Sequence, residues 1–206
     1  MLKNKGGLVP TVVLLVICSL TSALLSWTNM ATADTIAMKE AEKDDQARKI
    51  ILSEASEFEE VPLETFLKAH TDFSEEKTKA NDMSTLVSVY KGLADGKVVG
   101  YIIQGKYRGY GGDVPVMVGV LKDKTVSKAL VLTNEETPGL GKKVEDEAFL
   151  KQFEKASIDK PFVIGDANED EVKVDTVSGA TYSSRAVQRT VDLAMKIAKQ
   201  IGEEEL

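Results

Sequence analysis

The chain has 206 residues, a hydrophobic fraction of 43% and a formal net charge of −7, which gives room for one sizeable domain and one small extra element. Its acidic balance argues against nucleic acid or anionic lipid headgroups as partners. Cys18 and His70 are the only cysteine and histidine, which excludes thiolate-held zinc, iron–sulfur clusters and an internal disulfide, and speaks against a Ser-His-Asp hydrolase. Any redox chemistry therefore needs an organic cofactor.

No charged residue occurs between Lys5 and Asp34, and Leu8 to Trp27 is almost wholly apolar or small. Twenty helical residues at about 1.5 Å each span about 30 Å, the hydrocarbon thickness of a bilayer. Pro10 falls in the first turn, where its missing N–H costs little, and Trp27 falls at the far end, where an indole suits the interface. Ala31-Thr32-Ala33 offers a small-x-small cleavage site, so a signal peptide competes with an anchor. The apolar stretch is nevertheless longer than the roughly 7–15 residues of such peptides. The expectation is a single-pass anchor in the cell (inner) membrane over residues 1–33. Lys3 and Lys5 put the N-terminus in the cytoplasm and the rest outside it.

Residues 34–83 read as a membrane-proximal helix and loops. Thr35 to Ser56 lacks Gly and Pro and carries Ile36, Ala37, Ala41, Ala47, Ile50, Ile51 and Ala55 at roughly helical spacing. Phe58 to Asp82 is acidic and interrupted by Pro62, with one short helix expected around Leu63–Ala69. Residues 84–206 read as the functional domain. Leu86–Tyr90 and Val98–Tyr107 form a hairpin about Ala94-Asp95-Gly96, and strands follow at Val114–Leu121 and Thr125–Thr133. Glu145–Lys155 is predicted as an amphipathic helix with Ala148, Phe149, Leu150 and Phe153 inward. Short strands are predicted at Phe162–Ile164 and Val172–Val174. A final helix opens at Ser183 or Ser184 and runs to Ile201, with Ala186, Val187, Val191, Ala194, Met195, Ala198 and Ile201 on its apolar side. The order predicts an α+β fold: one N-terminal transmembrane helix, then an antiparallel sheet with packed helices.

Two stretches carry chemistry. Asp175-Thr176-Val177-Ser178-Gly179-Ala180-Thr181-Tyr182-Ser183-Ser184 runs into the last helix. A helix N-terminus presents unpaired N–H groups and partial positive charge, which favours a phosphate. Gly179 and Ala180 keep bulk away, and Thr181 adds a hydroxyl. Glu136-Thr137-Pro138-Gly139-Leu140-Gly141 follows a strand with two glycines and a proline, in a loop position where ligand contacts concentrate. Taken alone, serines and threonines before a helix are usually just caps, and Gly and Pro after a strand only set a turn.

Together they resemble one family. Asp175-x-x-Ser178-Gly179-Ala180-Thr181 is similar to the flavinylation motif of the FMN-binding domain shared by the G subunit of the Rnf electron transport complex and the C subunit of the sodium-pumping NADH:quinone reductase. Glu136 to Gly141 matches the family's second signature, and Gly109-Tyr110-Gly111-Gly112 its glycine-rich turn. The resemblance covers the whole chain, and the length fits the Rnf G subunit better. Many members carry a threonine two places after the attachment residue; here Ser183 keeps only the hydroxyl.

The resemblance implies FMN joined to Thr181 as a phosphoester, installed by a separate flavin transferase. It implies that Asp175 and Ser178 shape the turn before Thr181, and that backbone N–H groups near Ser183 and Ser184 take phosphate oxygens. Leu140 would cover the ring, and Glu136 and Thr137 would orient it, within a loop completed by Pro138, Gly139 and Gly141. It implies an electron relay among other membrane subunits of an ion-translocating ferredoxin:NAD⁺ oxidoreductase. The competing readings are the quinone-reductase C subunit, and a non-redox exported domain that binds a phosphorylated ligand or acts as a scaffold.

Overall fold

The computed structural model describes residues 5–62 and 86–204; the helix predicted at 63–69, and His70, lie outside the described residues. The chain divides into two compact units, one up to Asp45 and one from Gln46 onward.

The apolar segment and the helix predicted after it form one element, α1, Lys5–Ile51. Sequence reading divides them between residues 33 and 34, but residues 28–34 contain neither Gly nor Pro and nothing there stops a helix. Its threonines return their hydroxyls to the preceding turn, Thr28 Oγ1 to the Leu24 carbonyl at 2.8 Å and Thr32 Oγ1 to the Thr28 carbonyl at 2.9 Å. Such back-bonding gives each hydroxyl an acceptor within the helix itself. α1 is the one candidate membrane span among the described residues, by length and composition.

In the second unit a five-stranded antiparallel meander runs in chain order: β1 Glu57–Val61, β2 Leu86–Ala94, β3 Lys97–Arg108, β4 Asp113–Leu121 and β5 Val126–Val131. The β2–β3 hairpin closes on Asp95 (φ 50°) and Gly96 (φ 73°) with Ala94 opposite Lys97, the positive-φ pair of a two-residue turn. β1 is absent from the sequence reading, which placed a loop there. After β5 come a short 3₁₀ turn at Gly141–Glu145, the helix α2 at Glu147–Leu150 and another 3₁₀ turn at Lys151–Phe153. β6 Phe162–Val163 and β7 Val172–Lys173 pair in parallel. The chain closes with α3, Thr181–Glu204.

The long helix predicted for Glu145–Lys155 is thus broken into short turns. Lys155 (φ 61°) donates its N–H to the Val126 carbonyl at 2.7 Å, and Val126 donates to the Ala156 carbonyl at 3.0 Å. Those bonds pull the chain onto the edge of β5 before a helix can continue. Ala148, expected inward, is exposed, whereas Phe149, Leu150 and Phe153 are buried as predicted.

The pleat divides the sheet residues between two cores. Tyr101 and Ile103 of β3 and Val114, Val116, Val118 and Val120 of β4 face α3, whose Ala186, Val187, Val191, Ala194, Met195, Ala198 and Ile201 are all buried. The opposite face, with Ile102 and Met117, is covered by Ala47, Ile51 and Leu52 at the end of α1. Here the sheet has a glycine floor. A Cβ on Gly92 would lie 2.2 Å from Leu52 Cδ2, one on Gly100 3.1 Å from Leu52 Cδ1 and one on Gly119 2.4 Å from Ile51 Cγ2. Ser127 Oγ donates to the Ile51 carbonyl at 2.8 Å, satisfying a helix-end acceptor.

Candidate functional site

Both motif loops are the same kind of turn. In the first, Leu140 donates its N–H to the Thr137 carbonyl at 3.2 Å, with Pro138 second and Gly139 third at φ +78°. In the second, Ala180 donates to the Val177 carbonyl at 2.9 Å, with Gly179 third at φ +76°. A third position at positive φ is what a type II turn requires and what favours glycine there. The turns meet: a Cβ on Gly179 would touch Leu140 Cδ2 at 3.4 Å.

Ser184 donates its N–H to the Ala180 carbonyl at 2.9 Å, which makes Ala180 the cap residue and Thr181 the first residue of α3. The helix therefore begins two to three residues earlier than the serines suggested. Alanine has no side chain with which to cap. Among the described residues no acceptor takes the N–H groups of Thr181, Tyr182 or Ser183. Three open donors, the positive end of a helix dipole and an exposed Thr181 hydroxyl thus coincide.

The two serines are not at the surface. Ser183 and Ser184 are fully buried. The Ser184 hydroxyl donates to the Ala180 carbonyl at 2.9 Å and accepts from the Val177 N–H at 3.0 Å, and the Ser183 hydroxyl donates to Glu136 Oε2 at 2.8 Å. Of the N–H groups expected near Ser183 and Ser184, that of Ser184 is spent inside the helix. Ser178 is exposed, and so is the Asp175 side chain, whose Oδ1 lies 3.7 Å from Lys173 Nζ.

Two residues that sequence reading missed hold these loops. The Gln152 amide binds Asp175 twice, donating to its carbonyl at 3.1 Å and accepting its N–H at 2.8 Å. Asn134 accepts the Glu136 N–H at 3.0 Å and donates to the Leu132 carbonyl at 3.0 Å and to Glu145 Oε1 at 2.7 Å. Neither lies in a motif, and Gln152 reaches Asp175 across 23 residues, which gives no periodic or compositional signal.

The loops enclose a cavity of about 290 Å³, lined by Tyr110, Glu136, Thr137, Leu140, Gly141 and residues 179–183. Beyond α1, the exposed large apolar side chains among the described residues are Val87, Tyr110 (76%), Leu140 (50%) and Tyr182 (68%). All except Val87 line this cavity. Such concentrated apolar exposure marks a binding surface. Tyr110 comes from the glycine turn between β3 and β4, a residue the sequence reading quoted without giving it a role. Among the described residues no group of His, Cys, Asp and Glu could hold a metal ion.

A small apolar-rimmed cavity beside open helix N–H groups and one hydroxyl fits a flat ring carrying a phosphate. A family model described as the FMN-binding domain matches residues 109–196, a span that opens at the Tyr110 turn and contains both motif loops. Fold and site together define an FMN-binding domain. The chain is 30% identical over 193 residues to the G subunit of the Na⁺-translocating ferredoxin:NAD⁺ oxidoreductase complex of Acetobacterium woodii, covering 92% of this chain and 90% of that one. It is 32% identical over 178 residues to the G subunit of the ion-translocating oxidoreductase complex of Methanosarcina acetivorans, covering 85% and 86%. Among solved structures, the NqrC of Shewanella oneidensis aligns with a TM-score of 0.46 at 26% identity, over 57% of this chain and 61% of that one. This chain belongs to the family of G subunits of ion-translocating oxidoreductase complexes.

Proposed function

We propose that this chain is an electron-relay subunit of a membrane-bound ion-translocating ferredoxin:NAD⁺ oxidoreductase, carrying FMN as a phosphoester on Thr181. The observation that carries this reading is the coincidence at the start of α3: one exposed threonine hydroxyl, three helix N–H groups without an internal acceptor, and an apolar-rimmed cavity alongside. Thr181 Oγ1 would hold the FMN phosphate as an ester, its hydroxyl proton leaving with the group displaced from an activated flavin phosphate. A separate flavin transferase catalyses that exchange. Bound FMN supplies reversible one- and two-electron chemistry.

The chain's own residues do the rest. The N–H groups of Thr181, Tyr182 and Ser183 stand ready for phosphate oxygens. Leu140, Tyr110 and Tyr182 offer the ring apolar surface. The Gln152 and Ser184 bonds fix the turn that presents Thr181. α1 anchors the domain, and Lys3 and Lys5 favour a cytoplasmic N-terminus with the flavin outside, where a covalent link prevents loss by dissociation. Anchoring also raises the effective concentration of the site toward neighbouring membrane subunits, the partners that the family membership supplies.

In-gel flavin fluorescence of the denatured chain, co-expressed with a flavin transferase, tests the assignment. Thr181→Ala and Thr181→Val lose the band and Thr181→Ser keeps part of it; a band that persists in Thr181→Ala contradicts the assignment.

A further inference from the structure

One carboxylate in the domain is both buried and held from two sides. Glu136 is 2% exposed. Its Oε2 accepts the Ser183 hydroxyl at 2.8 Å and its Oε1 accepts the Gly111 N–H at 3.0 Å. Glycines crowd both oxygens: a Cβ on Gly109 would lie 2.2 Å from Oε1, and one on Gly141 2.2 Å from Oε2. Two glycines from separate segments thus clear the space the carboxylate fills. A buried carboxylate is costly unless hydrogen-bonded, so a bland turn would not be built around one.

The bonds of Glu136 join three segments. Gly111 belongs to the glycine turn that carries Tyr110, Glu136 itself opens the turn that carries Leu140, and Ser183 lies two residues after Thr181 in the first turn of α3. These are the segments that line the cavity. We propose that Glu136 is a positioning residue for the flavin site: its carboxylate locks the Tyr110 turn, the Leu140 turn and the start of α3 into one frame and sets a fixed negative charge in the cavity wall. This rests on the reading of Thr181 as the FMN-bearing residue. Each Glu136 oxygen accepts one bond within the protein, so the carboxylate is held in place independently of any ring it orients. Its charge acts at a distance. In a poorly solvated wall, a fixed negative charge disfavours adding electrons nearby and so lowers the potential of a carrier in the cavity.

The test uses the full-length chain co-expressed with a flavin transferase. The readouts are attached FMN by intact mass, the anisotropy of attached-flavin fluorescence, and the midpoint potential by spectroelectrochemical titration. Glu136→Gln has the same shape without the charge. It retains the wild-type fraction of FMN and the wild-type anisotropy, while the midpoint shifts upward. Ser183→Ala keeps the charge but cuts one arm of the bridge; it retains FMN on Thr181 and loses anisotropy, with a smaller change in midpoint. An unchanged midpoint in Glu136→Gln together with unchanged anisotropy in Ser183→Ala overturns the proposal. If Glu136→Gln does not fold, unchanged anisotropy in Ser183→Ala overturns the bridge by itself. A wild-type chain without FMN on Thr181 rejects the reading beneath it, an outcome separate from either variant.

Discussion

Gly179 faces Leu140 so closely that a methyl group on the glycine would rest 3.4 Å from Leu140 Cδ2, and it does so at φ +76°. The contact joins the two turns that frame the cavity and leaves the Thr181 hydroxyl exposed beside them. Gly179→Ala sets a side chain in the left-handed region, at a cost of about 1–3 kcal/mol, and presses on Leu140. The expected outcome is a lower fraction of FMN-bearing chain at equal expression, read by intact mass. Gly139→Ala imposes the same backbone strain but its Cβ meets open space, so its loss of FMN is smaller.

The glycine floor under the end of α1 predicts a stability effect remote from the site. Leu52 is fully buried over Gly92 and Gly100. Leu52→Ala should cost about 2–5 kcal/mol through lost burial and the cavity left behind. Gly119→Ala should cost about 1–3 kcal/mol by overpacking, because its Cβ would come 2.3 Å from Ser127 Oγ and 2.4 Å from Ile51 Cγ2. Denaturation of the detergent-solubilised chain, followed by circular dichroism, measures both.

How much of this was legible in sequence depended on whether a residue's partner was local. The β2–β3 hairpin was readable because Asp95-Gly96 encodes its own turn, and α3 because its apolar residues repeat at helical spacing. The motif loops were readable because Pro138-Gly139 and Gly179 set turn chemistry by themselves. β1 was not readable: Glu57-Phe58-Glu59-Glu60-Val61 has no alternation and becomes a strand only through its register with β2, Glu57 opposite Leu93 and Val61 opposite Val89. The break after α2 was hidden for the same reason, since it is the distant Val126 that takes the chain. Gln152, Gly111 and Ser183, the last two bonded to Glu136, likewise act across separations that no window spans.

A pH effect follows from Asp192. Burial raises its carboxyl from the ordinary 3.8 to about 6, against the lowering influence of the Phe162 N–H, the Gln188 amide and Lys196. The Phe162 N–H donates to it at 2.9 Å, and the Gln188 amide bridges it to the Phe162 carbonyl. A raised carboxyl binds its proton more tightly when folded. Its cost is therefore absent below about 3.8, grows as pH rises toward 6 and is fully expressed above that. At most it reaches about 2–3 kcal/mol. Asp192→Asn removes this dependence, so its stability relative to the wild type should improve as pH rises from about 4 to 7, in paired thermal melts. A constant difference across that range contradicts it.

Tyr110 should report on the ring directly. A phenol in contact with an excited flavin gives up an electron and takes it back, which quenches emission; a phenylalanine ring does not. Tyr110→Phe should therefore brighten the attached flavin and lengthen its fluorescence lifetime while leaving the extent of attachment unchanged. An unaltered lifetime places the ring away from the glycine turn.

The most direct measurement is mass spectrometry of the Thr181 peptide from the chain isolated out of its own membrane with its partners. The expected result is a single modification on Thr181 with the mass of FMN less one water, with the flavin spectrum following that peptide. An unmodified Thr181 peptide from active, native complex contradicts the assignment of this chain as a covalent flavin carrier.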